Sequence, residues 1–330
     1  MGHDATPTIR LGARRSPLAR AQVEFVAGLL ARQGIASTFV GVTTTGDVDY
    51  RDLTEIGGTG VFATAVRDAL YRGEIDVAVH SLKDLPTAAA TDLEIAAVPE
   101  REDTRDVLVG RRLHELVDGA RIGTGAPRRA VQLLDWAEQR GLRLQIVPIR
   151  GNVDTRIELV RTGTVEAVVL AAAGLSRLGH LQLGGGDHPD TVVKGLPSQV
   201  LDLALMLPAP GQGALALEVH SSLREHLRTA VGSVEDATAR VESQVERAFL
   251  ATLEAGCTAP VGARARVKSV RGTSLDLTLA AVIGRTLLSN LSEPTRAGSV
   301  LRLEAEGSAV DPEQFGAAQA GQLLAELSGQ

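Results

Sequence analysis

Residues 8–34 read TIRLGARRSPLARAQVEFVAGLLARQG, and this stretch sets the fold class. A short apolar run reaches a glycine and two arginines. Ser16 and Pro17 then supply the N-cap and first-turn residues that open a helix, and Gly34 supplies its stop. A strand followed at once by a capped amphipathic helix is the repeating unit of an α/β sheet. The unit recurs along the chain. STFVGVTTT (37–45) reads as a strand, EIGGTG (55–60) as a Gly-rich loop, the next segment as a helix to Gly73, and DVAVHSL (76–82) as a strand. From about Arg105 the alternation resumes through DVLVG, ARIGTG, the helix PRRAVQLLDWAEQRG, LRLQIVPI, a helix after Gly151, and EAVVLAAAG.

The opening stretch also has an echo. LGARRSPLARAQ (11–22) and IGTGAPRRAVQ (122–132) share a strand end, a glycine, a small or polar turn, a proline, basic residues and a helix. Two lobes are therefore expected, each offering a helix N-terminus with arginine beside it. Such an end presents unpaired N–H groups and a positive dipole, which suit carboxylate or phosphate. Two such ends would make a cleft for a polyanion. PAPGQGALALEV (208–219) reads as a crossing point, and beyond it the pattern changes. A long helix (234–256), strand-like runs at 261–270, 275–283 and 298–305, and a closing helix near 312–328 suggest a separate α+β domain.

Composition narrows the function. The 330 residues carry a net charge of −6 and only 2% aromatic residues, which argues against a general nucleic-acid binder with stacking platforms. One cysteine, Cys257, excludes an intramolecular disulfide and a multi-cysteine metal site. The start has no apolar run of signal-peptide length and no stretch approaches a membrane span, so a cytoplasmic protein is expected. Of 34 Lys and Arg, only Lys83, Lys194 and Lys268 are lysine, so a lysine is the more informative basic residue.

Four stretches are candidates for chemistry. AVHSLKDLP (78–86) runs an apolar strand into His80, Ser81, Lys83 and Asp84, at the strand end where α/β sheets bind ligands. A solvated turn with a Lys–Asp pair is the plainer alternative. IGTGAPRR puts Arg128 and Arg129 in a first helical turn, against the dipole, unless an anion lies between them. IRGNVDTR (149–156) does the same with Arg150 and Arg156, and arginine holds carboxylates bidentately. Surface salt bridging is the alternative for both sets. REDTRDVLV (101–109) fits a charged linker. EAGCTAP (254–260) holds Cys257 between a helix-stopping glycine and Pro260, on an expected loop; a small buried thiol is the competing assignment.

Together the stretches resemble the porphobilinogen deaminase (hydroxymethylbilane synthase) family. LGARRSPLARAQ, TTTGD, AVHSLKDLPT, REDTRDVLV, IGTGAPRR, IRGNVDTR, AAAGLSRLG, PAPGQGAL and LEAGCTAP stand in the family's order over nearly the whole chain. The resemblance implies an α/β fold of two similar periplasmic-binding-protein-like lobes around a cleft, plus a smaller C-terminal α+β domain. Lobe 1 would be 1–101 with 210–232, lobe 2 would be 102–209, and the C-terminal domain 233–330. It implies a transferase of tetrapyrrole, porphyrin and heme biosynthesis. Four porphobilinogen molecules are joined head to tail on a dipyrromethane cofactor with loss of ammonia, and the linear tetrapyrrole is released by hydrolysis.

By the same resemblance Cys257 carries the cofactor through a thioether, and Asp84 is the catalytic aspartate. Ser81, Lys83, Thr124, Arg128, Arg129, Arg150 and Gly151 would hold the cofactor. Arg14, Ser16, Phe62, Arg156 and Arg177 would hold substrate. No metal, nucleic acid or membrane is implied. The chain would act as a monomer, with uroporphyrinogen-III synthase as the enzyme that receives the product, and its lobes would move as the oligomer grows. The sequence departs from the family in two places. Glu55 and Thr59 replace lysines of the Gly-rich loop, and Gly125 and Ala126 replace two serines near the cofactor carboxylates. Two other functions compete: a two-lobed polycarboxylate-binding protein, and a weakened deaminase paralogue that binds cofactor without efficient turnover.

Overall fold

The computed structural model describes residues 8–43, 61–183, 191–255, 259–284 and 300–328. The chain divides into two compact units, 1–102 with 214–241, and 103–213 with 242–330.

The first unit opens with β1 (Ile9–Arg14), α1 (Pro17–Arg32), β2 (Ser37–Val42), α2 (Val61–Tyr71), β3 (Val77–Ser81) and β4 (Leu93–Ala97). Ser16 caps α1 as its sequence requires, its side chain accepting from the Ala19 N–H at 3.3 Å. Pro17 needs no partner at the first helical position. Ala19, Gln22, Val23, Val26 and Leu30 recur at helical spacing, and that face is the buried one. Gly34, at φ +75°, ends the helix in a conformation that glycine adopts without strain.

The second unit supplies β5 (Asp106–Val109), β6 (Arg121–Gly123), α3 (Pro127–Glu138), β7 (Gln145–Val147), α4 (Val153–Arg161), β8 (Ala167–Ala171), α5 (Ala172–Arg177), β9 (Leu181–Leu183), β10 (Thr191–Val193) and β11 (Leu196–Val200). The chain then returns to the first unit with β12 (Leu215–His220) and α6 (Glu225–Gly232). Helix α7 (Ala237–Thr252) follows, and β13 (Val261–Arg271), β14 (Ser274–Gly284), β15 (Val300–Ala309) and α8 (Pro312–Ser328) complete the described chain.

The echo in the sequence is an echo in topology. Among the described residues the first sheet has the order β2-β1-β3-β12-β4, and the second runs β7-β6-β8-β5-β11-β10-β9. Each contains three parallel strands, β2-β1-β3 and β7-β6-β8, closed by an antiparallel neighbour, β12 or β5. The strands reached from helices on both sides are buried on both faces and read as continuous apolar runs, VAV at Val77–Val79 and AVVL at Ala167–Leu170. The third sheet, β13-β14-β15, is an antiparallel meander. Two α/β units and a strands-then-helix terminus are the fold class that the sequence patterning predicts.

Two local expectations shift. The helix expected to run to Gly256 stops at Thr252, because Glu254 turns into left-handed backbone at φ +52°. Asp236 starts it, accepting from the Ala239 N–H at 2.7 Å. The strands β9, β10 and β11 add an antiparallel edge that the alternation did not signal. The segment 184–190 between β9 and β10 lies outside the described residues, as does the Gly-rich loop at 55–60.

Candidate active site

In the first unit, the carboxyl ends of β1 and β3 open beside the start of α1. There a recess of about 100 Å³ is lined by Arg14, Ser16, Leu18, Ala19, Gln22, Ala63, Val66, Val79, His80, Ser81 and Asp84. Five residues named from sequence meet in it: Arg14, Ser16, His80, Ser81 and Asp84. Parallel strands place them there, because a ligand at such strand ends meets the next helix N-terminus and the residues that follow each strand. Asp84 ends a 3-10 turn, Leu82–Asp84, anchored by the Leu82 N–H to the Ala214 carbonyl at 3.0 Å and by the buried Leu82 side chain. Asp84 is exposed, and Lys83 sits half-buried beside it in the same turn. Phe62 lies in the first turn of α2.

Sequence reasoning passed over Gln22, Glu218 and Arg67, and named His80 without its partners. Gln22, buried on α1, donates from Nε2 to the Ser81 Oγ at 2.7 Å, which occupies one lone pair and leaves the hydroxyl proton to point elsewhere. His80 is 8% exposed, and its Nε2 lies 3.2 Å from the Glu218 Oε2. Glu218, 3% exposed on β12, is gripped from the other side by Arg67 of α2, at 3.0 Å from Nε and 2.8 Å from Nη2. Burial pushes the Glu218 carboxyl up, yet the hydrogen bonds from His80 and Arg67 outweigh it and hold the group below its ordinary value. Only contact order across strands 138 residues apart brings His80 and Glu218 together, so no local motif shows the pair.

In the second unit the equivalent strand end carries a different arrangement. Arg128 and Arg129 are buried, and the anion between them belongs to the protein: Asp106 of β5, 0% exposed, meets Arg128 Nη2 and Arg129 Nη2 at 2.8 Å each. Arg129 Nη1 also donates to the Val169 carbonyl at 2.8 Å, and Arg128 Nη1 donates to that of Leu207. Gln212 Nε2 donates to Asp106 Oδ1 at 2.9 Å and to the Thr104 carbonyl at 2.7 Å. The conflict with the α3 dipole is therefore met internally. The helix end itself stays open: Ala126 at the N-cap supplies no side-chain acceptor, and the buried Arg129 Nε has no hydrogen-bond partner among the described residues.

Thr124, 3% exposed, shapes the turn before α3 by accepting from the Ala126 N–H at 3.1 Å. Gly125 is required there, since a Cβ would lie 2.6 Å from the Ile149 carbonyl oxygen. That approach joins the turn to the loop before α4, where Arg150 is exposed and Gly151 takes φ +100°. Arg156 folds back, donating from Nε to the Gly151 carbonyl at 2.9 Å, and Arg177 donates from Nη2 to that of Gly213 at 2.7 Å. Asp154, in the same α4 turn, is paired with Lys194 at 2.6 Å and hydrogen-bonded with His180 at 3.0 Å; these contacts hold its carboxyl below the ordinary value, Lys194 most strongly. Cys257, with Glu55 and Thr59, lies outside the described residues.

Parallel-strand ends with arginines, capped or open helix N-termini and one exposed carboxylate define a class: α/β proteins that handle small carboxylated molecules at the carboxyl edge of their sheets. The comparisons make this particular. The family model for the porphobilinogen deaminase dipyromethane cofactor binding domain matches residues 9–228, and that for the porphobilinogen deaminase C-terminal domain matches 241–325. Porphobilinogen deaminase 1 of Streptomyces coelicolor is 46% identical over 328 residues, covering 98% of this chain and 95% of its own. The porphobilinogen deaminase of Cutibacterium acnes is 45% identical over 305 residues, 86% of each chain, and that of Leifsonia xyli 50% over 266 residues, 78% of this chain and 76% of its own.

The chain belongs to the porphobilinogen deaminase family, and with it to the transferase enzymes of tetrapyrrole biosynthesis that use a dipyrromethane cofactor. Among solved structures, a periplasmic substrate-binding protein from Coxiella burnetii aligns with 73% of this chain and 97% of its own, at 15% identity and a TM-score of 0.40. The methionine-binding protein MetQ aligns with 73% of this chain and 94% of its own, at 12% identity and a TM-score of 0.39. Among the described residues no helix is long and apolar enough to cross a membrane.

Proposed function

We propose that this chain is a working hydroxymethylbilane synthase, condensing four porphobilinogen molecules with loss of ammonia and releasing the linear tetrapyrrole by hydrolysis. The observation that carries it is the recess of the first unit, where Asp84 shares a wall with Arg14 and Ser16 at the N-terminus of α1. Porphobilinogen bears an acetate, a propionate and an aminomethyl group on one pyrrole. Arg14 and the α1 end suit its carboxylates. The Asp84 carboxylate accepts the pyrrole N–H and stabilises the positive charge that develops as ammonia leaves. Arg156, Arg177 and Phe62 complete the proposed set of substrate-binding residues.

The second unit fits the dipyrromethane cofactor. The open N-terminus of α3 and the partnerless Arg129 Nε are the donors that an added carboxylate would satisfy. Thr124, Arg128, Arg129, Arg150, Gly151, Lys83 and Ser81 are the residues we assign to holding it, with Cys257 as its thioether attachment. When bound, it supplies the free pyrrole carbon from which the product is built. Asp106 pairs with Arg128 and Arg129 and orients them. The two hydroxyls lost at Gly125 and Ala126 are offset in part by backbone: the Gly125 N–H and the first turn of α3 remain as donors to an anion.

Replacing Asp84 with Asn tests the assignment. The variant should retain the cofactor by mass and lose nearly all turnover, by a factor on the order of 10²–10⁴ for a group that stabilises transition-state charge. Normal turnover in that variant would refute the role given to Asp84.

A further inference from the structure

The first-unit recess is lined by groups of both kinds: Arg14 beside the α1 N-terminus, and Asp84 with His80, whose Nε2 meets the buried Glu218. Glu218 is a carboxylate whose oxygens face Arg67 and His80, so it can only accept. The His80 Nε2 must therefore carry the hydrogen in both the neutral and the charged ring. That fixes the tautomer and leaves the Nδ1 lone pair as the ring's acceptor. The imidazole is buried and lines the recess together with Ala63 and Val66.

We propose that His80, with its tautomer set by Glu218 and Arg67, is the residue that recognises the aminomethyl ammonium of the incoming substrate. This rests on the function proposed above and adds to it the means by which an amine, and not merely a dicarboxylate, is selected. The His80 Nδ1 accepts from the ammonium while Arg14 and the α1 end bind carboxylate, so the pyrrole is held by both ends with its carbon–nitrogen bond near Asp84. The charged groups around His80 are Glu218 on β12, Arg67 on α2, and Asp84 and Arg14 on the recess wall.

Calorimetry on the holoprotein with two unreactive pyrroles tests this. Both carry the acetate and propionate; one has a 2-aminoethyl group and the other an isosteric propyl. A hydrogen bond to a charged amine predicts that the aminoethyl pyrrole binds at least about tenfold more tightly to the wild type. The ratio should fall towards one in His80→Leu, and recover in part in His80→Gln, which has both a donor for Glu218 and an acceptor for the amine. An unchanged ratio in a folded His80→Leu protein overturns the proposal and leaves the deaminase assignment standing. Failure of the wild type to bind either pyrrole overturns the deaminase assignment itself. Nitrogen-15 NMR on the wild-type holoprotein needs no variant: the Nε2–H tautomer is required, and an Nδ1–H ring contradicts the proposal.

Discussion

Asp84 and Gly125 show how much one residue can decide. Asp84 stands exposed on a 3-10 turn in the recess wall, free to face a ligand, with the half-buried Arg14 in the same wall. Gly125 is decided by space instead. Gly125→Ser, which restores the residue expected of the family, puts a Cβ 2.6 Å from a backbone oxygen that cannot swing aside. It should destabilise the protein by about 1–3 kcal/mol, read as a lower denaturation midpoint at unchanged slope. Arg14, Ser16, Ser81 and Asp84 were legible as a set because each lies within three residues of a strand end that the sequence marks. His80 was visible as a letter in AVHSLKDLP, but not as a partner of Glu218 and Arg67, since tertiary pairing leaves no local signal.

At the scale of elements, the β5 strand and the start of α3 depend on each other. Two buried guanidiniums share the one carboxylate of Asp106, itself fully buried. Asp106→Ala strands both charges and should cost about 3–5 kcal/mol in urea unfolding, with the second unit losing order first in hydrogen exchange. The sequence pointed to an anion beside Arg128 and Arg129, and it could not say that the protein supplies one itself from a strand 22 residues upstream. In the first unit, the pairing of β12, α2 and β3 through Glu218 gives a pH signature. The folded Glu218 carboxyl is depressed below its ordinary value of 4.5, so its contribution is present above that pH and is lost as pH falls through the lower folded value. The wild type should therefore lose melting temperature below about pH 4.5 more steeply than Glu218→Gln. Parallel slopes for the two proteins would remove this role.

Over the whole molecule, the repeated strand–glycine–proline–helix pattern fixed two α/β units because parallel strands reached through helices need that alternation. The terminal strands-then-helix run was equally plain. The antiparallel edge β9-β10-β11 was not, because three- to five-residue strands carry too few alternating positions to stand out from loops. Nine family stretches in register made the chemistry legible where no single stretch did. Everything that chemistry requires converges on Cys257, the one thiol in the chain. The most direct measurement is therefore the intact mass of protein made in tetrapyrrole-producing cells. The wild type should exceed the mass of its sequence by two linked pyrrole units, and Cys257→Ser should carry no addition. An unmodified wild-type mass, or an addition that survives in Cys257→Ser, would contradict the assignment of a cysteine-tethered dipyrromethane to this enzyme.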